Sequence, residues 1–459
     1  MAKKKILLLS DDLRMSSGVG TMSKEFVLGT LHHYDWAQIG GAIKHPEDGK
    51  VVDMNDSIRK ETGIEDANLT IYPINGYGNP DILRAVLVRE SPDAILHYTD
   101  PRFWRWLYEM EHEVRQEVPI FYYNIWDDWP APQYNEFYYE SSDLIMNISK
   151  QTVNIVKNVW TKYPPEDWQV TYVPHGINDD LYFPLTELHS EWGEFEEFRK
   201  QKFDGNKYDF VLYYNNRNIR RKMTSDVILA FHTFCNTLSE EEADKCALLM
   251  HTQPRDENGT DLPELVKAVA PDVKVYFSDS KLDNKHMNFL YNMADVTINI
   301  ASNEGWGLST TESLLTETPI IVNTTGGLQD QCGFKKDDGS YLTVDDYTTE
   351  WGSNHDGRYK ECGEWAKPVF PSSISLVGSV PTPYIFDDRC RWDDTADKIK
   401  EWYDVGDDER KRCGELGREY AFSEQAGMTA EMMCQGFIDK MDTAFSKWTP
   451  RNRYEIFKV

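Results

Sequence analysis

Short apolar runs recur along this chain, and stretches of helical pattern separate them. No other feature restricts its fold so tightly. The first run, residues 6–9, stands near the N-terminus. Others follow at 94–97, 120–124, 144–148 and 170–173, with helical patterns at 21–30, 101–117 and 150–160. After mixed polar sequence at 185–207, a second series occupies 210–214, 247–251, 273–277, 296–300 and 320–322, with a helical pattern at 226–236. Runs of this length fit strands buried on both faces of a parallel sheet. Strands alternating with helices build βαβ units. The sequence therefore predicts an α/β protein of two halves joined near residue 190. Residues 333–385 break the rhythm, being rich in Gly, Ser, Asp, Pro and Trp, and read either as a surface insertion or as a substrate lid. Residues 393–445 are helical by pattern.

Composition removes several function classes. The 459 residues carry 49 basic and 77 acidic side chains, a net charge of -28. Such a surface repels nucleic acid and anionic lipid unless bases are concentrated locally. No apolar run approaches the ~20 residues that span a bilayer, and residues 6–9 are too few for the apolar core of a signal peptide. The seven cysteines are odd in number and contain no Cys-x-x-Cys pair. They read as reduced thiols of a cytoplasmic protein, with neither a disulfide frame nor a zinc site.

The strongest chemical signal is the run from Ser302 to Leu315, which contains Glu304, Gly305, Trp306, Gly307, Leu308, Ser309 and Glu312. It follows the apolar run at 296–300. Gly305 and Gly307 permit a tight turn and close backbone approach, and Ser309 or Thr310 is placed to cap the helix that follows. A helix N-terminus after a glycine turn offers free N–H groups and partial positive charge, which suit a diphosphate. Glu304 and Glu312 flank that turn, and a carboxylate accepts hydrogen bonds from sugar or ribose hydroxyls.

This Glu-x7-Glu pattern around Gly-x-Gly, followed by Thr318-Pro-Ile-Ile-Val322 and Gly326-Gly327, resembles the donor site of retaining GT-B glycosyltransferases that use nucleotide sugars. The resemblance implies two Rossmann-like domains facing a central cleft. The N-terminal acceptor domain would span 1–190. The donor domain would span 191–435 with the insertion 333–385, and the helix and tail 436–459 would pack back on the first domain. It also implies that Glu304 contacts the donor sugar and that Glu312 holds the ribose hydroxyls.

A second signal is the basic run Arg217-Asn-Ile-Arg220-Arg221-Lys222 after the apolar stretch at 210–214. Arg217 and Lys222 match the Arg-x4-Lys spacing with which the resembling family binds the donor diphosphate, a bidentate fork and a mobile point charge for a departing anion. Asn216 and Met223 stand where the family commonly has glycine. Gly18 and Gly20, after the first apolar run, resemble the family's glycine loop beside the donor phosphates. By themselves they are half of a dinucleotide fingerprint, with Ser23 where a third glycine belongs, so an NAD(P)-dependent oxidoreductase is a rival reading. Val173-Pro-His175-Gly176 resembles the turn that closes the family's N-terminal domain.

Trp126-Asp127-Asp128-Trp129 departs from the family, in which a His commonly precedes this Asp. Asp127 is a candidate base, Asp128 a candidate for acceptor hydroxyls, and Trp126 and Trp129 offer stacking faces. Loop capping and core packing are the plain alternatives for all four. The reaction implied is sugar transfer from a nucleoside diphosphate sugar, UDP-sugar favoured, to a hydroxyl. Glu304, Arg217, Lys222 and Asp127 would carry the chemistry, with no metal and no resident cofactor. The acceptor is either a soluble saccharide or a hydroxymethylated base of viral DNA, as with phage-type enzymes. A binding protein for sugar nucleotides or glycans, without catalysis, is the second rival.

Overall fold

The computed structural model describes residues 3–351 and 357–452. The chain divides into two compact units. The first runs to Trp126, resumes from Ala131 to Gly176 and ends with the stretch from Ala430. The second holds Asp127–Pro130 and Ile177–Thr429. The division therefore falls at 176/177 rather than near 190, and the short segment around Asp127 sits with the second unit.

The first unit is built on β1 (Lys4–Asp11), β2 (Tyr34–Ala42), β3 (Val52–Asp53), β4 (Leu69–Asn75), β5 (Ala94–Tyr98), β6 (Ile120–Asn124), β7 (Leu144–Asn147) and β8 (Val170–Tyr172). They form one sheet in the order β3-β4-β2-β1-β5-β6-β7-β8, parallel except for the two-residue β3. Residues 6–9 of β1 are completely buried, as a central strand covered on both faces must be. The sequence pattern missed β2 and β4. Gly40 and Gly41 interrupt the apolar pattern of β2, where a Cβ at Gly40 would lie 2.9 Å from the Asp12 side chain and one at Gly41 would lie 2.6 Å from Gly76 O. Proline is rare inside a sheet, and β4 contains Pro73. Its neighbour β3 pairs only with Thr70 and Ile71, so Pro73 has no ladder bond to donate on that side. The stretch at 101–117 is three short helical pieces and not one helix. The helix Ala430–Lys447 packs here against Gly18–Gly29: Phe26 stacks on Phe437 at 4.7 Å, and Tyr34 Oη donates to Asp442 at 2.8 Å. Of the segment 436–459, residues 453–459 lie outside the described residues.

The second unit is built on β9 (Phe210–Asn215), β10 (Cys246–His251), β11 (Lys274–Ser278), β12 (Val296–Asn299), β13 (Ile320–Asn323) and β14 (Ala366–Val369), all parallel, in the order β11-β10-β9-β12-β13-β14. The region 333–385 is less irregular than its composition implies. It supplies β14, and with residues beyond it the antiparallel hairpin of β15 (Ser373–Ser379) and β16 (Thr382–Arg389). Residues 352–356 of that region lie outside the described residues. Strand order reverses at β9, whose neighbours are β10 and β12. In parallel sheets such a reversal opens a crevice at the carboxyl ends of the strands, where ligands bind. The basic run follows β9 and the Glu304 turn follows β12. The pairing of Thr297 with Tyr213 thus brings together two motifs that lie far apart in the sequence.

Candidate active site

Each half of the site is a loop held by its own backbone. After β9 the chain makes a single 3-10 turn, Arg220–Lys222, and then Met223 enters the left-handed region at φ 53°. Only glycine adopts that conformation freely. Met223 holds it at the cost of local strain. The helix Thr224–Cys235 follows. Asn218 pins the outer side of the loop, its amide donating to Gln253 O and Thr260 O at 3.1 and 2.7 Å.

After β12 the turn runs through Glu304 to Gly307, which is left-handed (φ 89°) and forms the N-cap of the helix Leu308–Leu315. No side chain caps this helix. Ser309 and Thr310 lie inside it and not before it, and the Thr310 hydroxyl bonds back to Gly307 O at 2.6 Å. The first-turn N–H groups are thus left without a side-chain cap. Gly326 and Gly327 press on the same turn. A Cβ at Gly326 would lie 1.9 Å from Glu304 O, and one at Gly327 would lie 2.4 Å from Gly305 O. Gly327 N donates to Glu304 O at 3.1 Å. These two glycines fix where Glu304 stands.

Glu304 and Lys222 meet as a buried ion pair, with 11% and 9% of their side chains exposed. Burial works to raise the Glu304 carboxyl, but the Lys222 and Arg221 cations outweigh it and hold the group below its ordinary value. Arg221 is solvent-accessible. Its guanidinium donates to Asn303 O at 2.7 Å, and its backbone carbonyl accepts from Ser302 N at 2.8 Å, tying the two loops together. Asp127 and Asp128 border this centre. Asn303 Nδ2 donates to Asp128 at 2.6 Å, and Asp127 Cβ lies 3.4 Å from where a Gly326 Cβ would be. Burial lifts Asp127 to about 6 against the pull of Arg221, and lifts Asp128 well above the usual carboxylate range, with the neighbouring Asp127 charge adding to it. Glu312, one turn into the helix, receives a hydrogen bond from Tyr291, and burial lifts it to about 6.

The sequence-predicted residues thus divide. Lys222, Glu304, Gly305, Gly307, Leu308, Ser309, Glu312, Asp127 and Asp128 all fall within the second unit, around the loops after β9 and β12. Arg217 points elsewhere: its side chain is 63% exposed and paired with Asp256 at 2.9 Å. Arg221 stands beside Glu304 in its place. The Trp306 indole is turned into the core, donating to Thr311 Oγ1 at 2.9 Å. Trp129 follows Asp128 in the second unit, with its backbone O accepting from Phe386 N at 2.6 Å. Trp126 belongs to the first unit, where Arg102 lies over its ring at 5.2 Å. Gly18 and Gly20 also lie there, inside the helix Gly18–Gly29 and not in a loop before it. Ser17 caps that helix by accepting from Gly20 N, and a Cβ on Gly20 would lie 2.5 Å from Met15 O. The turn's packing is therefore enough to require that glycine. His175 is buried between Tyr123 and Tyr98, and burial lowers it to about 3, so it is neutral.

The fold has counterparts among solved structures. The fold is that of HepE from Anabaena, solved with UDP and glucose: TM-score 0.64, 12% identity, covering 96% of this chain and all of that one. A glycosyltransferase from Rickettsia africae gives 0.63 at 13% identity, covering 97% of this chain and all of that one. Sucrose-phosphate synthase from Thermosynechococcus elongatus gives 0.65 at 13%, with the same coverage. At this identity the likeness is one of fold. No protein-family model and no curated protein sequence matches the chain. Among the described residues, no helix is long and apolar enough to cross a membrane, and no group of three or more His, Cys, Asp or Glu is placed to hold a metal ion.

Proposed function

We propose that the protein is a glycosyltransferase that moves a sugar from a nucleoside diphosphate sugar, UDP-sugar favoured, to an acceptor hydroxyl. The observation that carries this reading is the Lys222–Glu304 pair set beside Arg221 at an uncapped helix N-terminus. Two cations beside a helix N-terminus that no side chain caps suit a departing diphosphate, and a carboxylate held among them suits sugar hydroxyls. The bond from the anomeric carbon to the diphosphate oxygen breaks, and a bond to the acceptor oxygen forms. The acceptor's proton passes to the departing diphosphate on the same face, so the configuration is retained and no protein nucleophile is needed. Arg221 and Lys222 neutralise the charge that develops on the leaving group. Glu304 holds sugar hydroxyls and Glu312 ribose hydroxyls. Asp127 and Asp128 face the acceptor, which is a soluble saccharide or a hydroxymethylated base of viral DNA. The reaction uses no metal and no resident cofactor, and the protein works in the cytoplasm.

The test is a thermal-shift screen against UDP, GDP, ADP, CMP and NAD. A ligand that binds only the folded state at 100 times its Kd stabilises it by about 2.7 kcal/mol. A shift with one nucleoside diphosphate supports the reading and names the base. A shift with NAD alone would replace it with an oxidoreductase. In a turnover assay with the matching nucleotide sugar, Glu304→Gln should lower kcat by about 10²–10³-fold. An unchanged rate would remove Glu304 from the chemistry.

A further inference from the structure

Glu312 stands in a nest of tyrosines that the proposed reaction does not itself require. Tyr291, on the helix Asn284–Asn292, donates its phenol to Glu312 Oε2. Asn215, the last residue of β9, donates its amide to that same phenol oxygen at 2.8 Å. The amide occupies the oxygen's acceptor side, so the phenol proton is directed at the carboxylate. The ring has no freedom to turn away: it is fully buried, edge-on to Tyr213 at 4.9 Å and to Tyr182 at 5.8 Å. Tyr182 also bonds to Glu312.

Two phenols thus hold the carboxylate; with about four lone-pair sites it still has capacity for neighbouring hydroxyls. We infer that Tyr291 is a positioning residue for Glu312, and that the chain Asn215–Tyr291–Glu312 makes the site select ribonucleoside diphosphates over their deoxy counterparts. This rests on the reading of Glu312 as the ribose-holding group. Without the Tyr291 phenol the carboxylate keeps only its bond to Tyr182, its orientation is less fixed, and part of the energy it gives to the ribose hydroxyls is lost. The rest of the nucleotide binds as before.

The experiment measures Kd for UDP and for 2′,3′-dideoxy-UDP by calorimetry, with the full chain and with Tyr291→Phe. The variant should bind UDP about 10-fold more weakly, the scale of one hydrogen bond to a charged group. Its Kd for dideoxy-UDP should stay within about twofold of wild type. Equal weakening for both ligands would overturn the inference, since a purely structural tyrosine acts on both alike; no weakening for either would do the same. If Tyr291→Phe does not fold, Asn215→Ser frees the phenol without removing it. That variant should weaken UDP selectively by about 3-fold, and an unselective effect overturns the inference. Wild type that binds UDP and dideoxy-UDP equally would overturn the ribose assignment of Glu312 itself. Wild type that binds neither would overturn the donor-site reading.

Discussion

Glu312 titrates in the range where a carboxyl normally no longer does. Burial raises it to about 6, against about 4.3 for an exposed glutamate. Between those values the folded protein holds a proton that the unfolded chain has released. Stability from this group is therefore full below about pH 4 and is lost as the pH rises through 6. The whole interval is worth about 2 kcal/mol, less what solvent screening removes from a partly exposed side chain. Glu312→Gln should match wild type at pH 4 and exceed it by about 1–2 kcal/mol at pH 7.5 in urea melts. Parallel pH curves for the two proteins would show that Glu312 is better hydrated than the fold suggests. The Lys222–Glu304 pair makes the opposite kind of prediction. Removing one partner of a buried pair strands the other, at about 3–5 kcal/mol. Lys222→Met and Glu304→Gln should each destabilise on that scale. The double variant should recover most of the loss, with a coupling above about 2 kcal/mol in a double-mutant cycle. Simple additivity would mean that the pair is solvated.

The elements around the site differ in how strictly they are specified. Gly326 is left-handed (φ 50°) and has no room for a side chain. Gly326→Ala should cost about 2–3 kcal/mol or more through combined backbone strain and overpacking, and a urea midpoint close to wild type would contradict the contact. The β15–β16 hairpin is tolerant at one end and strict at the other. Leu376 and Val380 are 63% and 98% exposed, whereas Asp387 is buried and accepts from Arg220 at 3.0 Å and from Ser302 Oγ at 3.3 Å. Leu376→Ser should change stability by no more than about 0.5 kcal/mol, and Asp387→Ala should cost several times that; urea melts of the two variants compare them directly. The same contrast explains what was legible in the sequence. Strands buried on both faces, such as β1, β6 and β12, announce themselves as apolar runs. β2 and β4 do not, because Gly40 and Gly41 are there for close packing and Pro73 lies past the two residues that pair with β3. The hairpin was hidden because its apolar residues, such as Ile374 and Leu376, alternate with Ser in an exposed strand and form no continuous apolar run. At the site, Glu304 and Lys222, which the family resemblance named, stand together as an ion pair, whereas Arg217, named by the same spacing, does not join them. Arg221 was not legible, since four bases within six residues are alike by type, and only the 3-10 turn and the left-handed Met223 decide which of them lies beside Glu304.

At the scale of the whole molecule, charge bears on the choice of acceptor. A net charge of -28 acts at the range of a Debye length, about 8 Å at physiological salt, so it opposes the approach of a polyanion to any face that lacks a local excess of bases. The basic run does not provide one. Arg217 is neutralised by Asp256, Arg220 by Asp387 and Lys222 by Glu304, which leaves Arg221 bonded to a backbone carbonyl rather than to a carboxylate. One unpaired arginine in this run contributes little to the multiple phosphate contacts that give DNA-binding proteins their affinity and their steep salt dependence. Unmodified duplex DNA should therefore show no binding tighter than about 10 µM at 150 mM salt in fluorescence anisotropy, and little change in that result at 50 mM. A saccharide acceptor carries no such penalty, and aspartates such as Asp127 and Asp128 suit its hydroxyls. Submicromolar binding that weakens by orders of magnitude between 50 and 200 mM salt would reverse this order and make a modified DNA base the acceptor to test first.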